Sequence, residues 1–109
     1  MNIGKLDLST ERVMKGGQVV LSATLTDSVA ATSANVNFYD GDPKNGGQLF
    51  AVQRIPFIDE QQPHKVQVVF KAKTCGVHEL FAVVNAGTPR EEERRAHPLR
   101  VECSSNERE

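Results

Sequence analysis

The residues of this chain that could do chemistry form a few small groups. Asp40, Asp42 and Asn45 lie within six positions of one another and offer the hard oxygen donors that calcium takes. Cys75 and Cys103 are the only thiols, and His64, His78 and His97 the only imidazoles. An EF-hand loop starting at Asp40 needs Gly at its sixth position and Glu at its twelfth, where this chain has Asn45 and Ala51. A looser calcium site between loops, near Asp40 and Asp42, stays open. Two cysteines cannot complete a structural zinc site, and the three histidines lack zinc-finger spacing. Cys75 and His78 are three positions apart in a segment that alternates, so thiol and imidazole face opposite sides and no activated thiolate follows. The chain carries neither a Gly-x-Ser-x-Gly elbow nor a Gly-x-Gly-x-x-Gly phosphate cradle. Glu91 and Glu92 sit among arginines, with no pocket to raise a carboxyl pKa. The expectation is a protein that is not an enzyme, with no catalytic residues, no cofactor and no small-molecule ligand.

The two cysteines are a candidate disulfide, with two arguments pulling apart. If residues 85–96 form a hairpin loop, positions 75 and 103 are equidistant from its centre near 89, which favours direct pairing. If Leu80 and Ala82 point inward with Leu99 and Val101, that same register buries Glu79. A bulge at Gly76 would reconcile them. A bridge closing a loop of this length is worth about 3 kcal/mol by loop-entropy arithmetic.

The elements that must position these groups read as strands. In Gln18–Thr26, Val19, Leu21, Ala23 and Leu25 alternate with Val20, Ser22, Thr24 and Thr26, the two-residue period of a half-buried strand. Ile3, Leu6 and Leu8 suggest a short first strand with imperfect spacing. Val36 and Phe38 point inward from residues 35–40. Asp40, Gly41, Asp42 and Pro43 then make a turn: the carboxylates accept local amides, the glycine takes positive φ and the proline stops strand pairing. Residues 48–58 read as two short strands with Pro56 at an edge or bulge, and 59–63 as a polar turn. Val66, Val68 and Phe70 share one face. His78, Leu80, Ala82 and Val84 share another, opposite Val77, Glu79, Phe81 and Val83. Leu99, Val101 and Cys103 close the pattern, and residues 90–95 read as a solvated hairpin loop. Tyr39, Phe81, Val83, Val20 and Val69 fall on outer faces. No segment keeps a helical apolar period, so the fold class is all-β: an immunoglobulin-like β-sandwich of seven to eight antiparallel strands. Residues 1–103 are expected to form one domain, with 104–109 a disordered C-terminal tail.

Composition agrees with so small a unit. The 109 residues are 39% apolar and 25% charged, enough for one two-layer core but not for a deep substrate cavity as well. Thirteen basic residues against fourteen acidic ones leave no excess charge to draw the chain onto nucleic acid. Its longest apolar run, residues 80–84, is too short for a membrane span.

The stretch Ala34-Asn35-Val36-Asn37-Phe38-Tyr39-Asp40-Gly41-Asp42-Pro43, with Gly46-Gly47 and then Gly76-Val77-His78-Glu79-Leu80-Phe81-Ala82-Val83-Val84-Asn85, resembles the bacterial cell-adhesion-related domain. The resemblance spans most of residues 17–103. It departs where a tryptophan usually precedes the glycine of the penultimate strand, here Lys71-Ala72-Lys73-Thr74-Cys75. The resemblance implies an immunoglobulin-like module of a secreted or surface bacterial protein, a spacer or an adhesion and protein-interaction unit. Its expected partners are neighbouring domains of the same polypeptide or another protein, met through loops, an outer face or an edge strand. In such a sandwich His78 stands where a corner aromatic bonds back to the main chain, so its expected role is structural. The alternative is an accessory carbohydrate- or calcium-binding domain attached to an extracellular hydrolase. This chain shows no signal peptide, so the expected extracellular or cell-surface location would belong to an exported parent protein.

Overall fold

The computed structural model describes residues 2–26, 34–55, 64–85 and 93–103. Among these residues eight strands run in chain order: β1 (Asn2–Leu8), β2 (Arg12–Met14), β3 (Gln18–Thr26), β4 (Ala34–Asp40), β5 (Gln48–Ile55), β6 (His64–Lys71), β7 (Gly76–Val84) and β8 (Glu93–Glu102). They make two sheets, one ordered β1-β3-β6 and the other β2-β8-β7-β4-β5. Pro56 and the 59–63 turn lie outside the described residues, as does the 104–109 tail.

Alternation sets which faces meet. Val19, Leu21, Ala23 and Leu25 of β3 are fully buried, and Val66, Val68 and Phe70 of β6 lie beside them. Facing them from the second sheet are Val36 and Phe38 of β4, Ile55 of β5, Leu80, Ala82 and Val84 of β7, and Leu99 and Val101 of β8, in one contiguous apolar core. Burying each of the larger side chains contributes about 1.5 to 3 kcal/mol.

The structure corrects the sequence reading at four places. One is the direction of pairing: β2 lies parallel to β8, with Val13 opposite Val101, so the strands are not all antiparallel. This strand has only three residues and turns a single apolar side chain inward, too little to show a period. Another concerns residues 48–55, which form one strand. A β-bulge opposite Phe38 and Tyr39 inserts Phe50 as an extra residue and breaks the alternation that suggested two. Glu93, Arg94 and Arg95, read as part of a solvated loop, belong to β8. Their charges hide a strand whose β7 partners are Val84, Val83 and Ala82. Finally Val83, placed on an outer face, is nonetheless buried. Its cross-strand neighbours are Asn37 and Arg94, and the Arg94 guanidinium lies 5.6 Å over the adjacent Phe81 ring.

Two irregularities have simple causes. The spacing of Ile3 and Leu6 is imperfect because the β1–β3 register slips between Ile3 and Lys5. That slip lets both residues face the core. Pro98 sits inside β8 without losing a ladder bond. The Arg100 amide donates to the Glu11 carbonyl at 3.0 Å, away from β7, and Pro98 shares that orientation two residues earlier, before pairing with β2 begins.

Candidate functional site

The polar groups expected to matter gather at one end of the molecule, where β4 ends, β7 begins and the β4–β5 turn returns. Asp40 and His78 are both even-numbered on strands whose even positions face inward, so their side chains meet. His78 Nδ1 lies 3.0 Å from each Asp40 carboxylate oxygen. Its Nε2 lies 2.8 Å from the Thr74 carbonyl and 3.2 Å from Thr74 Oγ1. Both ring nitrogens thus face acceptors, the arrangement that suits an imidazolium with two N–H donors. Burial opposes the charge, but the Asp40 hydrogen bond, the Thr74 carbonyl and the Asp40 charge outweigh it and raise the His78 pKa.

Asp40, Gly41, Asp42 and Pro43 open a compact turn. Gly41 takes φ 96°, and its amide donates to the Glu79 carbonyl at 2.7 Å, tying the turn to β7. Asp42 caps a single 3-10 turn, Pro43–Asn45, by accepting from the Lys44 amide at 2.9 Å. Its carboxylate also accepts from the Asn45 side-chain amide at 3.2 Å and pairs with Arg94 at 3.2 Å. The Lys44 amide is the main cause of a lowered Asp42 pKa. It prevails over desolvation, and Arg94 and Asn45 add to it.

These bonds engage the carboxylates of the candidate calcium turn. Asp40 is taken up by His78, and Asp42 by Lys44, Asn45 and Arg94. Among the described residues no group of three His, Cys, Asp or Glu side chains could share a metal ion.

Cys75 and Cys103 are bonded to each other, with Cα atoms 5.3 Å apart. The β7–β8 ladder pairs Gly76 with Val101 and His78 with Leu99, one residue off the register that would set 75 opposite 103. The two arguments about this pair are therefore reconciled outside the ladder. Leu80 and Leu99 keep the inner face, Glu79 stays exposed, and both cysteines lie just past the strand ends. Gly76, the first residue of β7, takes φ 124° where the chain leaves Cys75.

Sequence reasoning missed the Asp40–His78 pair and the reach of Arg94 to Asp42. Parity carried the signal for the first, since Asp40 shares a face with Phe38 and His78 shares one with Leu80. No spacing rule links residues 42 and 94. Also missed was an open cleft of about 560 Å³ beside this cluster, lined by Phe50, Phe70, Lys71, Lys73, Thr74 and His78 among others. Phe50 packs edge-on against Phe70 with ring centroids 5.0 Å apart, and Phe70 lies 5.8 Å from the His78 ring.

Two sheets sharing one apolar core define an all-β fold. Among solved structures, the chain is similar to the CARDB domain of a Pyrococcus furiosus protein, itself solved in complex with di-metal ions. The likeness has a TM-score of 0.69 at 11% identity and covers 91% of this chain and 96% of that one. A solution structure from Geobacter metallireducens gives a TM-score of 0.67 at 24% identity, covering 88% and 90%. At these identities the likeness shows the fold. No protein-family model matches the sequence, and no curated protein does. Among the described residues, no helix is long and apolar enough to cross a membrane.

Proposed function

We propose that this chain is a non-catalytic immunoglobulin-like β-sandwich module of a bacterial secreted or cell-surface protein, serving as a spacer or as an adhesion and protein-interaction unit. The observation that carries the reading is the commitment of its ionisable groups. His78, Asp40, Asp42 and Arg94 each hold part of the fold in place, and none forms a nucleophile–base pair or faces a water-excluding pocket. The likeness to a cell-adhesion-related domain supports the module type. The Cys75–Cys103 bridge supports an oxidising compartment. Residues 1–103 would be the domain and 104–109 its tail.

The Pyrococcus domain was solved with two metal ions. In this chain the carboxylates of the β4–β5 turn are occupied by internal donors, so the reading includes no metal. Calorimetric titration of the chain with calcium and with soluble polysaccharides checks it against an accessory binding domain: the module reading expects no heat from either. Saturable heat from calcium or from a glycan would replace it with that alternative.

A further inference from the structure

The two seams where the sheets meet edge to edge are not alike. On the β1–β8 side the Arg95 guanidinium reaches across and donates to the Ile3 carbonyl at 2.7 Å. On the β5–β6 side the described bridge is a single side-chain amide, Gln53 Nε2 to the Gln67 carbonyl at 3.4 Å. Beyond Gln67 that seam widens into the 560 Å³ cleft.

The main chain of β6 is arranged to use this opening. Ala72 exchanges both of its main-chain hydrogen bonds with residues 16 and 17, which lead into β3, so even-numbered positions turn toward β3. Gln67 receives its bond from the seam side, so odd-numbered positions turn outward. The N–H and C=O groups of Val69 and Lys71 therefore stand along an edge that no described strand pairs, beside the cleft. Val69 is 55% exposed; among the described residues of this edge there is no proline and no inward charge, and its guards are the outward Lys65 and Lys71. Across the seam, the bulge in β5 places Phe50 against Phe70 as the apolar floor of the cleft. Lys71 and Lys73 line it, neither with a carboxylate partner among the described residues.

We propose that this cleft receives an extended peptide in which acidic and apolar residues alternate. Adding as a strand to this edge of β6, it would seat an apolar side chain over Phe50 and Phe70 and set carboxylates against Lys71 and Lys73. Alternation is required because a strand beside β6 turns successive side chains to opposite faces: inward over the aromatic floor, outward beside the lysines. A second copy of the chain fits this edge poorly. Pairing β6 with itself about Val68 sets Lys65 against Lys71 twice, and like charges directly opposite are destabilising. The proposal rests on the interaction-module reading and names its site and partner class.

The test uses the full 109-residue chain, labelled for NMR, and two capped heptapeptides, one alternating Glu and Val, the other Lys and Val. The acidic peptide is expected to shift the amides of Val69, Lys71 and Lys73, to slow hydrogen exchange at Val69 and Lys71, and to bind more weakly as salt rises. The double variant Lys71→Glu/Lys73→Glu should lose at least tenfold in affinity. Val69→Pro removes an outward N–H without touching the β3 ladder and should abolish the exchange protection. If the proline variant fails to fold, the charge reversal still decides. Equal binding of the Lys-Val peptide, shifts that map away from β6, or self-association through β6 in sedimentation would each overturn the proposal. Those outcomes leave the module reading intact, because that reading falls only on calcium or glycan heat.

Discussion

His78 is held between two acceptors, and this makes its protonation part of the fold. Because its folded pKa is raised above the ordinary 6.5, the stability it contributes is fully present below about pH 6.5 and is lost as pH rises through the folded value. Asp40→Asn should therefore destabilise the protein most at mildly acid pH, the gap to the native chain narrowing as pH climbs. An NMR titration should show His78 releasing its proton at higher pH than in Asp40→Asn; a His78 that titrates below 6.5 would contradict the paired geometry. At this scale the sequence was informative about residue type and face but silent on partners. The inward side of β7 was legible, and with it the burial of His78 against Leu80. Its bond to Asp40 depends on a β4–β7 pairing between positions 38 apart, which local periodicity does not encode. Arg94 was hidden for a related reason: a charged residue in a charged run looks solvated until something opposite accepts it.

Turns and strand ends carry the next level of constraint. The β4–β5 turn folds so tightly that a Cβ on Gly47 would overlap the Gly41 carbonyl and sit 2.8 Å from the Asp42 carbonyl carbon. Neither neighbour is a flexible side chain. Gly47→Ala should cost about 2 kcal/mol, as backbone-limited overpacking does, measured by urea unfolding; a neutral result would mean the turn is looser than described. The Cys75–Cys103 bridge closes the open end of the β7–β8 pair across 28 residues of chain. Its reduction should cost about 3 kcal/mol and lower Tm by on the order of 10 °C for a domain of this size. Calorimetry with and without a thiol reductant checks this, and an unchanged Tm would show that the bridge does not constrain the unfolded chain. Strands with clean alternation, β3, β6 and β7, could be located from the sequence. Those that could not each break the pattern in a specific way: β2 is too short, β5 is bulged at Phe50, and β8 begins in a run of charges.

Across the whole molecule, the two sheets share one core but expose their edges unequally, a difference no strand reveals alone. One seam is crossed by Arg95 to Ile3 and flanked by β2, which extends the larger sheet. The other leaves β6 with β3 as its one partner strand among the described residues. Hydrogen exchange should register this directly, since an amide bonded within a ladder opens only with its strand, whereas an edge amide is already in contact with solvent. Within β6, the amides of Val66, Val68 and Phe70 face β3 and should be protected, and those of Lys65, Val69 and Lys71 should exchange rapidly. The expected pattern is a strict odd–even alternation along a single strand. In β7, which pairs with β4 on one side and β8 on the other, the amides of residues 80–84 should instead be protected at odd and even positions alike. Uniform protection along β6 would mean that its outer edge is already covered, and the seam beside Phe50 and Phe70 would then be closed rather than available to a partner.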